Sequence, residues 1–189
     1  VAVRPLRHGA ITDFDVTQRM IRLLLERVGV SRFNRPRVVI CVPSAITAVE
    51  RRAVTEAARR AGAADARLIE QPLAAAIGSG LPINEPMGNL IVDVGGGTTE
   101  TALISMGGVV ALEAVRVGSF DIDTAIQNFI KAEYGVAIGE RTAEQIKLTI
   151  GSAAPIDEEL RAEVRGRHIA SGLPEVVVVS PQEIRSAID

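Results

Sequence analysis

The run Asp93-Val94-Gly95-Gly96-Gly97-Thr98-Thr99-Glu100 sets three consecutive glycines between two apolar segments. With no side chains at the bend, backbone N–H groups can approach an anion closely, and the hydroxyls of Thr98 and Thr99 add donors. Such a loop suits phosphate oxygens. Asp93, at the end of an apolar strand, is placed to hold a water of a hydrated Mg2+, an ion that keeps several waters when bound beside phosphates. The alternative is a glycine-rich hairpin that only turns the chain. Walker and dinucleotide loops lead from strand into helix and the former ends in Gly-Lys-Ser/Thr; here strand is expected to lead to strand, and that ending does not follow. The phosphate would be held by a hairpin tip rather than by a helix N-terminus.

A second pair with chemical potential is Glu144 and Lys147. Three residues apart on a predicted helix, they share a face, so a carboxylate for sugar hydroxyls and an ammonium can meet one nucleoside. Taken alone they are an ordinary surface ion pair. Arg51, Arg52, Arg59 and Arg60 form a third group; an anion site is one reading, and a solvated face paired with Glu50 and Glu56 is the one we favour.

These residues must be positioned by regular elements, and the apolar pattern predicts them. Thr17, Met20, Ile21, Leu24, Leu25 and Val28 recur at helical spacing over residues 15–28, with Asp15 and Gln18 as a capping box and Gly29 as the end. Residues 37–43 centre on VVICV, a strand expected to be buried on both faces with Cys41 inside. Thr47 and Glu50 open a helix through Ala61, whose small face is Ala53, Val54, Ala57, Ala58 and Ala61 and whose stop is Gly62. A short strand over 67–71 precedes a helix of small residues with Pro72 in its first turn. This alternation predicts a parallel sheet. Residues 89–94, 98–106 and 109–117 then predict an antiparallel three-stranded meander. A helix follows over 121–134, with Ile122, Ala125, Ile126, Phe129 and Ile130 inward, then a helix over 142–150 and short strands over 162–164 and 175–180.

Composition bounds the function. The chain has 189 residues, 47% of them hydrophobic, with no Trp and one Tyr, so the interior is aliphatic and of α/β character. A net charge of −2 and scarce aromatics exclude nucleic acid as a partner. The lone Cys41 cannot form an internal disulfide, which fits a reducing cytoplasm. No stretch approaches the roughly 20 apolar residues of a spanning helix, and VAVRPLRHGA is not a signal peptide, so any membrane contact is expected to be peripheral.

DVGGGTTE, followed by a strand pair and a helix, resembles the second phosphate hairpin of the actin, heat-shock chaperone and sugar kinase superfamily. Four further stretches are similar to the MreB family of bacterial actins within it: RPLRHGAITDF (4–14), CVPSAITAVERRAV (41–54), IEQPLAAAIGSGLPINEP (69–86) and IGERTAEQIKLTIGSA (138–153). The resemblance implies an actin-like (ribonuclease H-like) ATPase fold, incomplete in this chain. It implies a first-lobe part over 1–86, a second-lobe part with the phosphate hairpin over 87–122, and a further subdomain over 123–189. It also implies ATP and Mg2+ as cofactors. Gly95, Gly96, Gly97, Thr98 and Thr99 would hold the β- and γ-phosphates, and Asp93 would lie in the magnesium and water shell. Glu144, Gln145, Ile146 and Lys147 would hold the nucleoside, with Gly118 beside them.

Two departures stand out. Relatives place Glu before the Pro of the third stretch, where this chain has Gln71, preceded by Glu70. Glutamine cannot take a proton from water but can orient it, so hydrolysis is expected to be slow, with Glu70 as the fallback base. In VGSFDID, Ser119 and Phe120 stand where the family reads Gly-Asp after Gly118. His8 resembles the actin histidine near the phosphates and is assigned no catalytic role.

The superfamily grips ATP between two lobes, with one phosphate hairpin from each and a glycine-rich adenosine loop; only the second hairpin lies in this chain. A partial chain with weak nucleotide affinity, no measurable hydrolysis and no polymerisation alone is therefore expected. The resemblance further implies a membrane-associated filament of like subunits at the inner face of the cell membrane, cytoplasmic, with cell-wall synthesis and shape proteins as partners. Phe33, with Val28 and Val30 beside Arg32 and Arg35, would be an apolar tip against the inner membrane surface. Two other readings stay open: an actin-fold enzyme or chaperone ATPase of sugar kinase or heat-shock type, and a catalytically degenerate binding fragment.

Overall fold

A computed structural model describes residues 6–7, 10–29, 35–156 and 159–189, and the chain divides into two compact units, Val1–Gly118 and Ser119–Asp189.

In the first unit β1 (Leu6–Arg7) and β2 (Ala10–Ile11) form a short antiparallel pair, followed by α1 (Phe14–Arg27). The N-cap of α1 is Asp13 and not Asp15: extended Asp13 accepts from the Val16 N–H at 2.9 Å, which leaves the Asp15–Gln18 box without a role. Only Thr17 of the predicted stripe is buried, while Leu24 and Val28 are exposed. The helix rests on α2 (Ala48–Ala61), with contacts at Phe14, Gln18 and Arg22. Gln18 and Arg22 donate to the Arg60 carbonyl at 3.4 and 3.1 Å, and the Arg60 guanidinium stacks over Phe14 at 5.4 Å.

Between them runs β3 (Arg37–Val42), parallel to β4 (Asp65–Glu70) with Val38 opposite Ala66 and Ile40 opposite Leu68. The expected parallel pairing is present. One face of β3 packs Val38 and Ile40 on Ala58, Ala63 and Ala66, so small residues let helix and strand approach closely. Its other face is uncovered among the described residues, and Cys41 is exposed there, contrary to a strand buried on both faces. The Thr47–Glu50 capping box forms as the spacing predicts, and Gly62 ends α2 at φ +124°.

Helix α3 (Gln71–Gly78) leads to the meander β5 (Asn89–Val94), β6 (Thr99–Ser105) and β7 (Gly108–Val115), antiparallel in that order. Ala76 of α3 joins Ala102 and Ile104 of β6 in a second core, edged by Leu73, Ile91 and Leu112.

The second unit is α4 (Ser119–Tyr134), β8 (Val136–Ala137), α5 (Glu140–Ile150), β9 (Ala162–His168), β10 (Pro174–Val179) and α6 (Pro181–Ile188). Its sheet order is β10-β9-β8, all antiparallel. Ile126 and Ile130 of α4 meet Ala143, Ile146 and Ile150 of α5, Val164, Val177 and Val179 of the sheet and Ile184 of α6 in one core. Strand β9 runs longer than the apolar pattern indicated, and β10 has the expected length, shifted by one residue. The pattern did not predict β1, β2, β8 or α6, although Ser180-Pro181-Gln182-Glu183 is a capping box with Pro at the first turn.

Candidate functional site

Strands β5 and β6 run antiparallel to their last pair, Val94 opposite Thr99, and the three glycines make the turn, with the Gly95 N–H donating to the Thr98 carbonyl at 2.8 Å. The turn therefore joins strand to strand, as the sequence predicts. The glycines at positive φ lie elsewhere, Gly62 and Gly107 among them, so left-handed backbone is not what this turn requires. Space is. A Cβ added to Gly118 would lie 2.6 Å from the Gly95 carbonyl oxygen and 2.7 Å from both Gly96 C and Gly97 N, so Gly118 lies backbone to backbone against the turn. Thr99 Oγ1 donates to the Val117 carbonyl at 2.9 Å and fastens the same segment. The Thr99 proton is thus committed within the protein, whereas Thr98 Oγ1 has no hydrogen-bond partner among the described residues.

Asp93 and Glu100 face each other across the β5–β6 ladder. Asp93 is half-buried and makes no side-chain hydrogen bond or ion pair among the described residues. Glu100 is 1% exposed and accepts from the Ser44 N–H at 2.8 Å, with Ser44 Oγ at 3.5 Å. Sequence reasoning assigned Glu100 no role. The signal was the two-residue period that puts Glu100 on the face of Ala102 and Ile104, both of them core.

Gln71 is the first residue of α3, not the last of β4, and its side chain has no hydrogen-bond partner among the described residues. Glu70 is the N-cap residue of α3 but does not cap it; its carboxylate pairs with Arg51 of α2 at 3.2 Å. Arg51 therefore takes Glu70 as partner rather than Glu50, while Arg60 pairs with Glu56 at 2.7 Å and Arg59 with Asp65 at 3.5 Å. Glu50 lies 3.8 Å from Arg116. Hydrogen bonds from the Thr47 backbone and hydroxyl hold the Glu50 carboxyl below its ordinary pKa, with Arg116 assisting.

On α5 of the second unit, Glu144 and Gln145 are exposed and Ile146 belongs to the core. Lys147 does not pair with Glu144. Its ammonium lies 2.6 Å from Ser119 Oγ, 3.2 Å from the Ser119 carbonyl and 2.8 Å from Asp123 Oδ1. Asp123 was not foreseen as a partner; the sequence distance from Lys147 spans a helix, a turn and most of a second helix. His8 and Phe33 lie outside the described residues.

Known structures and sequences place this geometry. MreB5 of Spiroplasma citri bound to ADP matches 98% of the chain and 56% of that protein, with TM-score 0.88 and 36% identity. MamK, solved as a double helical filament, matches 97% of the chain at TM-score 0.77 and 19% identity, a likeness of fold alone. The chain has the actin-like fold. The MreB/Mbl protein family model matches residues 1–189, and the chain belongs to that family. The cell shape-determining protein MreB of Escherichia coli K12 is 49% identical over 99% of the chain, and Mbl of Bacillus subtilis 168 is 42% identical over all of it. The chain spans about half the length of these relatives, 54% and 57%.

Proposed function

We propose that this chain is the part of a bacterial actin that carries the second phosphate turn and one nucleoside-contacting helix, and that it acts in an ATP-dependent, membrane-associated filament that sets cell shape by organising wall synthesis. The observation that carries the reading is the triglycine turn between antiparallel strands, backed by Gly118, in an actin-like fold. The relatives named for cell-shape determination and the MreB5 structures bound to ADP and AMPPNP support it.

Within this reading Gly95, Gly96, Gly97 and Thr98 offer amides and a hydroxyl to the phosphates, and Thr99 holds the turn to Val117. Asp93, half-buried and without a protein partner among the described residues, fits the water shell of Mg2+. When bound, that ion neutralises phosphate charge. Gln71 orients the attacking water, and Glu144 and Gln145, both exposed on α5, are available to the nucleoside. The subdomain division 1–86, 87–122 and 123–189, self-association, a cytoplasmic position at the inner membrane surface with Phe33 as the apolar tip, and contacts to wall-synthesis proteins belong to the same proposal. None of the described helices is long and apolar enough to cross a membrane.

Calorimetry with Mg·ADP tests it. The chain should bind with a Kd weaker than micromolar, and Gly118→Ala, whose methyl group must push the turn away, should weaken binding about tenfold or more. Equal affinity of the two, or no heat at millimolar nucleotide, would sink the reading.

A further inference from the structure

Glu100 is an expensive residue to bury. A carboxylate taken from water costs several kcal/mol unless strong hydrogen bonds or opposite charge replace its hydration, and here one short bond, from the Ser44 N–H at 2.8 Å, is the main compensation. Its cross-strand neighbour is another carboxylate, Asp93, an arrangement that disfavours the strand pair unless something else profits from it.

Ser44 lies in the turn between β3 and the capping box of α2, three residues before the N-cap Thr47. That turn is tied to the meander a second time. Glu50, the third residue of α2 and the reciprocal half of the capping box, faces Arg116 at 3.8 Å just beyond β7. Arg116 runs directly into Val117, which accepts from Thr99, and Gly118, which lies against Gly95–Gly97. Pro43, Ile46, Glu50, Thr98, Glu100 and Arg116 line one small, partly open space between these two ties. Glu100 and Thr99, on the C-terminal side of the phosphate turn, thus lead by two routes to the same helix N-terminus, and Gly118 on the second route packs against the glycines themselves.

We propose that Glu100 is a positioning residue for the phosphate turn: through Ser44 it couples the turn to the N-terminal cap of α2, so that an anion bound at the glycines tightens that cap. The inference rests on the nucleotide reading above. Two discrete ties rather than a diffuse core make the coupling local, and the Glu100 carboxylate is the component a single substitution removes.

Hydrogen exchange of the chain with and without millimolar Mg·ADP decides it. Nucleotide should slow exchange in residues 95–99 and also, by about fivefold or more, at the amides of residues 44–50. Glu100→Ala should keep the nucleotide effect at 95–99 and abolish it at 44–50, while Glu100→Gln, which retains an acceptor for Ser44, should restore most of it. A residue that merely supports the fold would speed exchange equally with and without nucleotide, and that result overturns the proposal. So does a parent chain protected at 95–99 but unchanged at 44–50, which requires no variant to fold. No protection at 95–99 in the parent overturns the nucleotide reading itself, and the coupling with it.

Discussion

The Lys147 ammonium sits 2.8 Å from the Asp123 carboxylate, with the two side chains 15% and 7% exposed, and it donates to the hydroxyl and carbonyl of Ser119. Helices α4 and α5 are therefore joined by a nearly buried charge pair. Removing one partner strands the other. Asp123→Ala should cost about 2–4 kcal/mol of unfolding free energy, below the top of the range for fully buried pairs because Lys147 keeps some contact with water. Replacing both by Leu and Met should cost less than the sum of the single changes, as read from a double-mutant cycle in urea. Additive losses would mean that the pair is not coupled.

Held by hydrogen bonds to Ser119 and by the charge of Asp123, Lys147 must loosen a contact to serve a nucleotide. Ser119→Gly, the residue expected at that position in the family, removes one of these contacts, the hydroxyl, and should therefore free one ammonium proton and strengthen Mg·ADP binding about threefold to tenfold, a change of roughly 1 kcal/mol for one hydrogen bond. Calorimetry of the two chains measures it, and weaker binding by the glycine variant would contradict a nucleotide role for Lys147.

Gln71 bears on hydrolysis. In the protein carried at the full length of its relatives, Gln71→Glu should raise ATP turnover by about tenfold or more, since a positioned base typically contributes about 10²–10⁴ in rate. Equal phosphate release by parent and variant would remove Gln71 from the water-positioning role. Glu70 is not expected to substitute for it while paired with Arg51.

In the second unit, Tyr134 donates to Glu183 at 2.5 Å, and Glu183 also closes the Ser180 capping box of α6. Hydrogen bonds from Ser180, then Tyr134, hold the Glu183 carboxyl below its ordinary pKa, whereas the bond to Glu183 and burial push the Tyr134 phenol up to about 12. The depressed Glu183 stabilises the fold above its unfolded pKa of about 4.3, and that stability fades as pH falls through the lower folded value. The raised Tyr134 stabilises below its unfolded pKa of about 10, and its contribution fades as pH rises from there towards 12. Thermal melts across the pH range should show both limbs, and Tyr134→Phe should flatten the alkaline one. An unchanged alkaline limb in that variant would refute the assignment.

Cys41 offers a direct check on the sheet. On the uncovered face of β3 it should react with a maleimide in the native chain at a rate within about tenfold of a free thiol. Protection until denaturant is added would mean that this face is covered.

The sequence by itself determined most of the longer elements and the strand-to-strand turn. Thr47 and Glu50, three apart ahead of an alanine-rich face, specify the start of α2, because a capping box is satisfied within one turn of backbone. Three glycines between alternating apolar runs specify a hairpin tip, and Pro72 marks the first turn of α3 on equally local grounds, although the pattern places Gln71 in the preceding strand. What lies across the chain was decided only by tertiary structure. The pattern points to Asp15 with Gln18, whereas the folded chain caps α1 with Asp13, two residues earlier. VVICV reads the same whether one face or two are covered, because apolar character does not say how many layers pack on it. Lys147 has Glu144 one turn away and took Asp123 instead, since the packing of α4 on α5 brings a buried carboxylate to its ammonium and no local rule weighs that against solvent. Glu100 shows the same division: its strand and its inward direction follow from a period of two, but its partner, Ser44, was set by the docking of the β3–α2 turn on the meander, a contact made over 56 residues of chain.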